Sequence, residues 1–124
     1  MWTLRCYSLG QDGGFRGWYD SQDADLQAKI DFTLELLVAL PTWKQSPFYA
    51  DLRGACAGLG EIKVDTETVH CRLLGFEAGR REFTIVGWFN KTTNADYGAE
   101  CPKALKRKEG VLKNAERADL WPVP

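Results

Sequence analysis

Histidine is nearly missing from this chain of 124 residues: His70 is the only one. One imidazole cannot supply the paired ligands of many zinc sites or a two-histidine acid–base pair, and no metal centre is expected. His70 falls in an expected strand and reads as a structural or surface residue rather than a catalyst. Signals of cysteine pairing are missing too. Cys6, Cys56, Cys71 and Cys101 are widely scattered, with no C-x-x-C. They read as reduced, mostly buried thiols of a cytoplasmic protein. There is no Walker loop, no G-x-G-x-x-G entering a helix and no H-E-x-x-H. Gly10-x-x-Gly13-Gly14 is too sparse to count and reads as a loop. No small-molecule cofactor is therefore expected.

Long apolar runs are also lacking. None approaches the roughly 18–20 residues needed to span a bilayer, so no membrane partner is expected. The first residues, Met1 to Gly10, carry Arg5 in their middle and no apolar core, which is not a signal-peptide pattern. Nor is there an excess of one charge. The net charge is −1 and the pI about 5.8, which argues against broad, nonspecific nucleic-acid binding.

What is present fits one domain spanning 1–124, with 44% hydrophobic and 27% charged residues, large enough to bury a core without metals or disulfides. Charge is unevenly spread. Residues 1–60 hold five Lys/Arg against seven Asp/Glu, whereas residues 80–117 hold nine against five. A locally basic C-terminal third can meet phosphate, because charges are screened beyond about 8 Å at physiological salt.

Alternation of Trp2, Leu4 and Cys6 with polar neighbours predicts a first strand over Trp2–Tyr7. A short helix is expected around Phe15–Asp20. The strongest helix spans Ser21–Leu40, with Ser21 as N-cap and Asp23 and Asp25 at its positive end. Leu26, Ile30, Leu34 and Leu37 form one stripe and Phe32, Leu36 and Leu40 a second, so packing is expected on more than one side. Pro41 ends it. Residues 42–57 read as irregular, with a short helix around Phe48–Arg53. Three strands follow, Glu61–Val64, Val69–Phe76 and Glu82–Asn90, joined by short polar turns into an antiparallel meander. A last helix is expected over Gly98–Ala118, anchored by Leu105 and Leu112. The tail Trp121–Pro124 either docks a partner or folds back on the core. The fold class is α+β.

Chemistry could sit on the basic residues on or beside the sheet, Lys63, Arg72, Arg80, Arg81 and Lys91, and on the final helix with Lys103, Lys106, Arg107, Lys108, Lys113 and Arg117. The plainer reading is a solvated helix face, wet-face charges at Lys63 and Arg72, and a strand-end charge at Lys91. Order and spacing of four short motifs shift that weighting. Glu61-Ile62-Lys63, then His70-Cys71-Arg72, then Phe89-Asn90-Lys91-Thr92, then Ala104-Leu105-Lys106-Arg107 follow one another between residues 26 and 110. In this the chain resembles the HigB branch of the RelE toxins, a branch frequent in phage-derived sequences.

The resemblance implies a RelE-like fold: a small antiparallel sheet, formed by the N-terminal strand and the meander, packed by two N-terminal helices and one C-terminal helix. It implies the toxin of a type II toxin–antitoxin pair, an endoribonuclease that cuts mRNA on the ribosome with the RNA 2′-OH as nucleophile. In such cleavage the protein chiefly orients the backbone and stabilises charge on the phosphorane. Lys91 and Arg72 are then the catalytic candidates, with Lys63, Arg107, Arg80 and Arg81 binding RNA. Glu61 orients an arginine or is structural. The implied partners are ribosome-bound mRNA and a cognate antitoxin encoded by an adjacent gene. The alternatives are a non-catalytic RNA- or protein-binding module of the same fold, a decayed phage-derived toxin, or an unrelated α+β protein.

Overall fold

In the computed structural model, residues 1–9 and 13–122 are described. The chain forms β1 (Thr3–Tyr7), α1 (Phe15–Asp20), α2 (Ala24–Ala39), β2 (Tyr49–Asp51), β3 (Gly60–Asp65), β4 (His70–Gly79), β5 (Glu82–Lys91), α3 (Asp96–Lys113) and β6 (Ala118–Leu120). Single 3₁₀ turns occupy Trp43–Gln45, Gly54–Cys56 and Ala115–Arg117. Gly10 of the glycine-bearing loop and the tail residues Val123 and Pro124 lie outside the described residues.

The strands form one mixed sheet in the order β2-β3-β4-β5-β1-β6. The meander β3-β4-β5 is antiparallel, as the polar turns imply. β1 lies parallel to β5, with Cys6 opposite Ile85. Six strands in a mixed sheet replace the expected four-strand antiparallel one. The two additions, β2 and β6, have three residues each and are defined by pairing with β3 and β1 rather than by local pattern.

Helices cover both faces. α2 and α1 lie on the face that carries Leu4, Cys6, Ile62, Val64, Cys71, Leu73, Phe83 and Ile85. α3 lies on the opposite face, over Leu74, Phe76, Val86 and Phe89. At Gly87 the helix comes so close that a Cβ would stand 3.0 Å from that of Ala104, which explains a glycine inside this central strand.

Several local readings change. α2 starts at Ala24, capped by Asp23, whose carboxylate accepts from the Leu26 N–H at 2.8 Å. Ser21 cannot cap it because its hydroxyl donates to the Trp18 carbonyl at 2.6 Å, at the end of α1. Only one face of α2 is buried, through Leu26, Ile30, Thr33, Leu34, Leu37 and Val38. Phe32 and Leu40 of the second stripe are exposed, at 59% and 36%. Residues 48–53 form no helix: Tyr49 pairs with Ile62 and packs its ring on Trp43 and Phe83. α3 ends at Lys113, where Asn114 turns out of helical geometry at φ −148° and lets β6 pair with β1. Its buried residues are Cys101, Ala104, Gly110 and Val111, whereas Leu112 is 64% exposed and Leu105 only half-buried. Trp121 folds back, buried against Phe15 and Tyr19.

The cysteines also differ from expectation. Cys6 and Cys71 are free and buried, but Cys56 and Cys101 form a disulfide. A separation of 45 residues hides the pair in the sequence. It joins the turn before β3 to the second turn of α3. Among the described residues, no helix is long and apolar enough to cross a membrane.

Candidate functional site

Alternation along β3, β4 and β5 sorts their side chains. Ile62, Val64, Cys71 and Leu73 enter the α2-side core. Their neighbours Glu61, Lys63, Asp65, His70 and Arg72 therefore stand on the α3 side. The register sets Lys63 opposite Arg72, Asp65 opposite His70, Arg72 opposite Phe89, and His70 opposite Lys91. Cross-strand partners stand about 5 Å apart at Cβ. One end of this face is thus a polar cluster of three strands, roofed on one side by Tyr97 from the first turn of α3.

The hydrogen bonds run through the cluster. Asp65 Oδ1 accepts from Arg72 Nη1 at 2.6 Å and lies 3.2 Å from His70 Nδ1. Arg72 is buried (8% exposed), and Nη1 also donates to the Cys71 carbonyl at 2.9 Å, while Nε finds no partner among the described residues. Tyr97 donates its hydroxyl to the buried Glu61 carboxylate at 2.5 Å and packs its ring edge-on to Phe89. Lys91 Nζ lies 5.4 Å from the Tyr97 ring centroid, a cation–π distance. Neither Lys63 nor Lys91 has a carboxylate within ion-pair distance among the described residues.

Titration follows from these contacts. Burial pushes the Asp65 carboxyl up, but the hydrogen bonds and charges of Arg72 and His70 outweigh it and hold it below the usual carboxylate range. Tyr97 is pushed up to about 12 by burial and by its bond to Glu61, so at neutral pH its phenol is a donor and not a base. Burial lowers Arg72, but Asp65 and Tyr97 together outweigh it, and the guanidinium stays charged.

Arg107 does not join this cluster. Residues Leu74 and Gly75 of β4 face Gly87 and Ile85 of β5, so a bulge leaves Val86 without a cross-strand partner. Arg107 Nη1 donates to that freed carbonyl at 3.1 Å. Its guanidinium lies 4.4 Å from the Trp88 ring centroid and 5.7 Å from that of Tyr7. Satisfying a buried carbonyl and stacking on two rings fastens α3 to the bulge. Arg80 and Arg81 occupy the β4–β5 turn, at the far end of the strands from the His70–Lys91 pair. Arg80 lies eight positions beyond Arg72, about 26 Å at roughly 3.3 Å per residue of strand.

Residues 17–109 match the family described as Phage derived protein Gp49-like (DUF891). The chain belongs to that family. No curated protein and no solved structure matches it.

Of the residues named from sequence, this Gp49-like chain brings Lys63, Arg72 and Lys91 together and leaves Arg107, Arg80 and Arg81 apart. Three members of the cluster were not named as site residues: Asp65, His70 and Tyr97. The signal for two of them was present, since a polar residue at every second position from Glu61 to Asp65 and again at His70 and Arg72 marks one wet face. Tyr97 carried no such signal, because only the packing of α3 brings it over Glu61.

Proposed function

We propose that this Gp49-like protein is the toxin of a type II toxin–antitoxin pair, a RelE/HigB-like endoribonuclease that cuts mRNA on the ribosome. One observation carries the reading: cationic side chains from three neighbouring strands, Lys63, Arg72 and Lys91, meet on one face, and the two lysines have no carboxylate partner among the described residues. An RNA phosphate supplies the missing negative charge. Lys91 and Lys63, both only half-buried, contact its oxygens as point charges. Arg72 lies deeper, adds positive potential from below and holds Asp65. Attack by the 2′-OH on the adjacent phosphorus concentrates charge on the phosphate oxygens, which fixed cations stabilise more in the transition state than in the ground state.

Such a protein must be held silent, and the partner is an antitoxin encoded by an adjacent gene. It covers the cationic cluster or adds a strand at one of the two sheet edges, β2 or β6. Controlled expression in bacteria tests the reading: growth arrest, relieved by co-expression of the neighbouring gene, is expected. Unaltered growth of cells accumulating the folded protein would contradict it. A non-catalytic binding module of the same fold is favoured by one fact: Asp65 already neutralises Arg72. That module would arrest growth equally well with and without Lys91.

A further inference from the structure

Cleavage through the 2′-OH needs a group to take the hydroxyl proton, and none of the cations can do so while charged. We propose that His70 is that proton acceptor and Asp65 its positioning residue; the proposal rests on the nuclease reading above. Three observations place it. His70 is the only imidazole in the chain, and its side chain is 60% exposed. Its Nδ1 faces Asp65 Oδ1 at 3.2 Å, which directs Nε2 away from that carboxylate. The Asp65 oxygen is itself fixed from beneath by Arg72 at 2.6 Å.

An imidazole whose Nδ1–H donates to a carboxylate is held in the tautomer with a bare Nε2, the form that accepts a proton. The charged groups facing it are Asp65 from β3, Arg72 from its own strand and Lys91 directly opposite on β5. Asp96, at the start of α3, faces Lys91 and binds the Thr92 and Thr93 amides. A phosphate held by Lys91 therefore sits beside His70. Nε2 takes the 2′-OH proton as the oxygen bonds to phosphorus. The bond to the 5′-oxygen breaks, and that oxygen takes a proton from water. The products are a 2′,3′-cyclic phosphate and a 5′-hydroxyl, and the imidazolium returns its proton to solvent. This reverses the reading of His70 from sequence, which lacked its pairing with Asp65 and Lys91.

The test is a pH–rate profile of mRNA cleavage on purified translating ribosomes, for the wild type, His70→Gln and Asp65→Asn, with 15N spectra of the histidine in the full chain. An exposed His70 makes the glutamine variant a folding-neutral change, checked by its melting curve. The expected result is a loss of roughly 100-fold or more in His70→Gln. The acid limb of the wild-type profile should disappear, and the wild-type imidazole should be protonated on Nδ1, a preference weakened in Asp65→Asn. Cleavage by His70→Gln within about threefold of wild type, on an unchanged pH profile, overturns the role of His70 and leaves the nuclease reading standing. A folded wild type that cuts nothing overturns both.

Discussion

The same three strands, β3 to β5, present two unlike faces. Toward α2 they offer Ile62, Val64, Cys71, Leu73 and Ile85, each at most 1% exposed. Toward α3, at the end beyond its first turn, the neighbouring positions carry Lys63, Asp65, His70, Arg72 and Lys91. The first face is what a core requires. Among the described residues, the second holds a buried arginine whose Nε has no partner and two lysines without ion pairs, which folding alone does not require. A protein that only needed a stable sheet would place small polar residues there. The contrast separates residues that hold the fold from residues that are held by it.

The disulfide secures the helix beside the polar cluster, and breaking it should have the largest effect. Closing a loop across 45 residues is worth about 4 kcal/mol in the chain-entropy description. Cys101→Ser, or thiol reduction, should lower the denaturant midpoint accordingly, and fluorescence-monitored unfolding measures it. On the α2-side face Leu73→Ala should cost about 3 kcal/mol by leaving a cavity in a fully buried site, read from the same curves.

Smaller effects belong to the polar face. Asp65→Asn should cost about 1 kcal/mol, reduced by solvent because the Asp65 side chain is half-exposed. Its folded-state pKa is lowered, so its contribution is present above the ordinary carboxylate range and fades as pH falls through the lowered value. Urea titrations at a series of acidic pH values should therefore show a shallower acid-side loss in Asp65→Asn than in wild type. Lys91→Ala should change stability by only about 0.5 kcal/mol, since its half-buried ammonium contributes a cation–π contact with Tyr97 and a solvent-screened attraction to Asp96. A large loss there would erase the distinction between the two faces.

Much of this was legible in the sequence where pattern is local. The meander could be read because polar turns separate three runs with alternating apolar residues, and it puts Lys63, Arg72 and Lys91 on or beside the sheet, though the family resemblance rather than the pattern singled them out. β2 and β6 could not, because three-residue strands exist only through their partners. The reading of Phe32 and Leu40 as core failed because α2 packs against a single sheet, leaving its far side wet. The Cys56–Cys101 pair and the Tyr97–Glu61 contact were hidden for the same reason: both depend on where α3 lands. Arg107 was grouped with the other cations by motif, yet the bulge at Val86 holds it apart from them, and a bulge leaves no mark in composition.

The central claim is that the cations on the α3-side face act on RNA. Mapping transcript 5′ ends after controlled expression, for wild type beside Lys91→Ala at equal protein level, tests it most directly. The predicted result is a set of new ends within translated regions for the wild type and their loss in Lys91→Ala. New ends of equal number and position in both, or none in either, would contradict it.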